Sequence, residues 1–121
     1  MNLKQCYDNL GGNYDEVNDR IPGDALITRF LGRFLEDPSF QTLIEQIGCG
    51  NRDEAFRAAH TLKGVCANLS FTTLWKSVSA LTEELRASSE IPASATKLLQ
   101  EVCLNYNATT QVIREYLNQT I

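Results

Sequence analysis

The chain contains a single histidine, His60, and the residues around it decide what it can do. The stretch Ala55-Phe56-Arg57-Ala58-Ala59-His60-Thr61-Leu62-Lys63-Gly64-Val65-Cys66-Ala67-Asn68-Leu69, wound at about 100° per residue, divides into two unlike faces. Ala55, Ala58, Ala59, Leu62, Val65, Cys66 and Leu69 form a core stripe. His60 lies opposite, with Phe56 a turn before it, Lys63 and Gly64 a turn after, and Ala67 two turns after. The imidazole is therefore expected to point away from the core, beside a lysine and over residues with almost no side chain. That suits a solvent-facing nucleophile which a large partner must approach closely.

An imidazole has an unperturbed pKa of about 6.5, so an exposed ring keeps a nucleophilic lone pair at neutral pH. A neighbouring lysine disfavours the imidazolium and can pair with the oxygens of a transferred phosphoryl group as charge builds on them. Phosphoryl transfer relies on positioning and electrostatic stabilisation, so one nucleophile and one cation suffice from this side. Gly64 in mid-helix costs about 1 kcal/mol against alanine. Its place opposite the core stripe makes the approach of a partner the reason, ahead of packing inside the bundle. Phe56 reads either as a docking residue or as a ring tucked under the N-terminal segment, and Arg57 and Asn68 border the same face.

The elements that must hold this helix are legible as apolar periodicities. Residues 2–10 form a short amphipathic helix with Leu3, Cys6, Tyr7 and Leu10 on one side, ended by Gly11-Gly12. Asn13 to Asp19 reads as a further helical turn, closed by Pro22-Gly23. Asp24 is placed to cap a helix through Leu35, in which Gly32 would allow close packing. Asp37-Pro38 restarts the chain as cap and first helical residue, and Phe40, Leu43, Ile44 and Ile47 are inward until Gly48-Cys49-Gly50 stops the segment. Asn51-Arg52-Asp53-Glu54 has the form of a capping box and opens the histidine helix. Ser70 is then expected to cap a helix from Phe71 to about Ser88, with Trp75 flanking its apolar stripe. A loop over 87–92 leads to a last helix from about Ala93 to Leu117. No strand is expected. The prediction is one all-α domain, an antiparallel up-down four-helix bundle over 24–117 with short extra N-terminal helices over 1–23 as a cap.

His60-Thr61-Leu62-Lys63-Gly64, preceded by Ala58-Ala59 and followed by small residues up to Asn68-Leu69-Ser70, resembles the signature of the histidine-containing phosphotransfer (HPt) domain, H-x-L-K-G. The resemblance in pattern spans roughly residues 24 to 117. One departure is that Ser70 stands where the family commonly has glycine; both are good helix N-caps. The resemblance implies that His60 accepts a phosphoryl group from an aspartyl-phosphate on a receiver domain and returns it to another receiver. Lys63 would stabilise phosphoryl charge, and Gly64, Ala67, Phe56, Arg57 and Asn68 would form the docking face. Such a chain is a phosphocarrier and not an enzyme with turnover of its own. It needs no cofactor, since the magnesium ion and the phosphoaspartate belong to the partner. Partners would be receiver domains of response regulators or hybrid histidine kinases.

Composition excludes several other classes. A net charge of -4 argues against a general nucleic-acid binder, which needs a basic footprint. The N-terminus has no signal-peptide run and no stretch is long enough to span a membrane, so the expectation is a free-standing cytoplasmic protein. Cys6, Cys49, Cys66 and Cys103 contain no C-x-x-C pair, which makes zinc binding unexpected. No G-x-x-x-x-G-K-[ST] loop is present, and Glu83-Glu84 read as carboxylates of a solvated helix face. Two rival readings stand beside phosphotransfer. One is a helical module that docks on receiver or kinase domains without carrying phosphate. The other is a thiol-based redox switch on the four cysteines, which an exposed, reactive Cys49 would support.

Overall fold

Three asparagines cap helix starts. The side chain of Asn2 accepts from the Gln5 amide in a complete capping box, Asn13 accepts from Glu16, and Asn51 accepts from Glu54. The structure is a computed structural model describing residues 1–119, and among them it has seven helices and no strand. These are α1 (Leu3–Leu10), α2 (Tyr14–Arg20), α3 (Asp24–Phe34), α4 (Ser39–Gly48), α5 (Arg52–Asn68), α6 (Thr72–Arg86) and α7 (Ala95–Asn118). The histidine helix is α5.

From α4 onward each helix packs on the next in sequence order, and α7 also packs on α1 and α3. The α5–α6 pair is antiparallel. Arg52, at the start of α5, donates to the carbonyls of Leu85 and Arg86 at the end of α6, and the amide of Phe71 returns to Cys66 at the other end. Likewise α3 runs against α7, with Thr28 hydrogen-bonded to Tyr116 and Phe34 packed on Tyr106. One core joins all seven helices, and its largest buried side chains include Tyr7, Ile27, Leu31, Leu43, Leu62, Phe71, Leu81 and Ile113. The all-α bundle with an N-terminal helical cap is thus the observed class, and no described helix is long and apolar enough to cross a membrane.

Five local expectations are corrected, the first being Pro38, which is the N-cap of α4 and not its first helical residue. Ser70 does not cap α6. It has φ 57 and is the left-handed residue that closes α5, while the N-cap of α6 is Phe71, which has no side-chain cap. The carbonyl of Gly11 takes over that role by accepting from both the amide and the hydroxyl of Thr73. Asp24 is inside α3, with Gly23 as N-cap, because its carboxylate is taken by the Tyr14 hydroxyl at 2.7 Å. The Asn51 box is only half closed, since the Glu54 carboxylate pairs with Arg57 at 2.8 Å instead of turning back. Gly32 does not serve close packing, because a Cβ there would meet nothing within 4 Å.

Candidate functional site

Helix α5 lies between α4 and α6, so two of its sides are covered and a strip remains in solvent. Ala55, Ala58, Ala59, Leu62 and Cys66 are buried. His60, Thr61, Gly64, Ala67 and Asn68 are exposed. His60 therefore stands on the outward face, as its spacing from the core stripe requires. A Cβ on Gly64 would meet nothing within 4 Å, so packing inside the bundle is not what keeps a side chain off this position.

Beside His60 lies Phe56, with ring centroids 5.9 Å apart. Phe56 is half-buried, but it is not under the N-terminal helices. The guanidinium of Arg52 lies 5.1 Å from its ring centre and that of Arg86 lies 4.9 Å from it. Such cation–π contacts orient a ring that would otherwise be free to swing. Phe56, Arg57, His60, Thr61 and Arg86 together line one shallow hollow. Arg57 is itself exposed and paired with Glu54.

Lys63 leans away along the surface toward α6. Its Nζ is 3.7 Å from Glu83 Oε1 and 5.9 Å from the centre of the Trp75 ring. The other oxygen of Glu83 is 3.3 Å from Arg86 Nε. Glu83 is thus no idle surface carboxylate: it joins two of the cations of this face, Lys63 and Arg86. Gly64 and Asn68 line a neighbouring groove floored by Phe30, Phe34 and Leu69. Ala67 borders a third hollow with Glu16, Arg20, Thr72 and Trp75. The residues expected to dock a partner are therefore spread along one exposed strip, and they do not converge on one pocket.

Two groups of residues at this strip were not expected from the sequence. Arg86 and Glu83 come from α6, and only the register of the α5–α6 hairpin places them beside Phe56 and Lys63. Arg20 comes from α2 and reaches the far end of α5. Its Nη1 donates to the carbonyls of Ala67 at 2.9 Å and Asn68 at 2.8 Å and to Ser70 Oγ at 3.0 Å. Ser70 Oγ in turn donates to Glu16 Oε1 at 2.9 Å, and the Tyr7 hydroxyl donates to the Leu69 carbonyl at 2.8 Å. A cation at a helix C-terminus satisfies carbonyls that have no partner within the helix and complements the helix dipole.

The thiols offer little chemistry at this site. Burial pushes Cys6 up to about 11 and Cys66 up to about 12, which leaves them protonated and poor nucleophiles. Cys49 is exposed and unpaired in any disulfide, and it sits in the α4–α5 turn, outside the His60 hollow.

The Hpt domain family model matches residues 26–119. This chain belongs to the Hpt domain family. No curated protein and no solved structure matches it. Hpt domains are helical phosphocarrier modules of two-component signalling that work with receiver domains and lack a kinase fold. A phosphotransfer role in two-component signalling follows for this chain. The match begins inside α3, so α1, α2 and the Arg20 contacts to α5 lie outside it.

Proposed function

We propose that this Hpt domain is a phosphorelay intermediate that takes a phosphoryl group onto His60 from a receiver phosphoaspartate and passes it to a second receiver. One observation carries the reading: the single histidine of the chain is exposed on α5, one turn before a glycine with open space above it. A ring nitrogen of His60 attacks phosphorus, and the N–P bond forms as the aspartyl P–O bond breaks, its electron pair leaving on the carboxylate. The proton on the other ring nitrogen is then free to pass to solvent. Delivery to the second receiver is the reverse. Lys63 supplies positive charge to the phosphoryl oxygens, and the receiver supplies the magnesium ion. Gly64 and Ala67 let the receiver backbone come close, while Phe56, Arg57 and Asn68 border the contact. The exchange takes place in the cytoplasm, where we place the receivers.

Intact mass after mixing with a phosphorylated receiver tests this. Wild type is expected to gain one phosphoryl group that is lost in acid and kept in mild base, as a phosphoramidate should be. His60→Gln is expected to gain none while keeping its helicity. Label retained by His60→Gln would refute the assignment. Receiver binding without transfer in the wild type would favour a docking module that carries no phosphate.

A further inference from the structure

The contacts around Glu83 are unusual for an exposed carboxylate. It keeps 57% of its side-chain surface and yet places one oxygen on Lys63 and the other on Arg86. Both cations belong to the surroundings of His60. Lys63 follows it by one turn, and Arg86 lines the same hollow and stacks on the Phe56 ring that neighbours the imidazole. Solvent-exposed ion pairs contribute little to stability, and the α5–α6 hairpin is tied at this end by the hydrogen bonds of Arg52 to the α6 carbonyls. Holding the fold is therefore not what the Glu83 bridge is needed for.

We propose that Glu83 is a positioning residue that acts as the resting counter-ion of Lys63 and Arg86, and that a phosphoryl group on His60 competes with it for these cations. The inference rests on His60 being the phosphoacceptor. A phosphoryl group carries about -1.5 to -2 charge and three acceptor oxygens, so it is the stronger claimant on both cations. Each cation moved to it must leave Glu83, and the carboxylate then stands as an unpaired like charge nearby. Both effects make phosphohistidine less stable than bare cations would. For a carrier this is useful, because a group held too firmly would not be passed on.

The test uses the full chain and phosphoramidate, whose P–N bond breaks as the imidazole N–P bond forms and ammonia leaves. Wild type, Glu83→Gln, Glu83→Asp and Glu83→Gln combined with Lys63→Gln are compared by intact mass. Glu83→Gln is expected to keep its phosphoryl group about 1.5-fold to fivefold longer, the range an exposed ion pair can supply. The gain should shrink at high salt, where exposed charges are screened, and should be largely lost in the double variant. Glu83→Asp should lie near wild type. Glu83→Gln that decays at the wild-type rate or faster would overturn the proposal while leaving the phosphoacceptor reading intact. A wild type that takes no label would overturn both.

Discussion

The two turns that bracket the histidine helix use the same backbone solution with different residues. Before α5, Gly50 has φ 73, its amide returns to Ile47, and the next amide, of Asn51, returns to Gln46. After α5, Ser70 has φ 57, its amide returns to Ala67, and the next amide, of Phe71, returns to Cys66. Both are the paired hydrogen bonds that end a helix through a left-handed residue. Glycine adopts that conformation freely, whereas a residue with a Cβ is strained in it by about 1 kcal/mol. Gly50 is exposed and has open space where a Cβ would be. Ser70 is buried, and its hydroxyl is held between Arg20 and Glu16.

The serine at the second turn is tolerable because α2 supplies partners that glycine could not use. Strain at the end of α5 is offset by contacts from a segment outside the family match. The N-terminal cap and the histidine helix are therefore energetically coupled at Ser70, whereas the Gly50 turn stands alone.

Arg20→Ala should break the comparison most severely. It removes the guanidinium's contacts to Ala67, Asn68, Ser70 and Glu16 and leaves the strained Ser70 with the Glu16 contact alone, so urea denaturation should report a loss of about 2 kcal/mol. Phosphoramidate labelling of His60, which lies two turns away on the exposed strip, should persist in that variant under native conditions. Gly50→Ala should cost about 1 kcal/mol, for although the space is open the backbone angle is not one alanine favours. An unchanged midpoint would show that this turn relaxes freely. Ser70→Gly is expected to have the smallest effect, within about 0.5 kcal/mol of wild type, since relief of strain and loss of the hydroxyl contacts oppose each other. In the Arg20→Ala background the same change should become stabilising. If it were equally neutral in both backgrounds, the coupling between α2 and the serine would be disproved.

Much of the fold was readable because it depends on periodicity. Leu3, Cys6, Tyr7 and Leu10 are all buried on α1, and the stripe of α5 is buried at Ala55, Ala58, Ala59, Leu62 and Cys66. Helix limits failed where a polar side chain had a choice of partners. Ser70 before an apolar run looks like an N-cap, yet its hydroxyl goes to α2. Glu54 looks like the second half of a capping box, yet it goes to Arg57. Local chemistry proposes such bonds, and competition from distant residues decides which of them form.

The same division holds at the site. The sequence by itself determined that His60 faces outward and that Gly64 follows it on the same face, because a helix with one core stripe has only one outward side. It also carried the H-x-L-K-G pattern that resembles the family's signature. Only the tertiary structure decided that Lys63 rests on Glu83, that Arg86 stacks on Phe56, and that Arg20 closes the end of α5. Each of these joins residues at least 20 positions apart, and no periodicity within one helix reports on the register of the next.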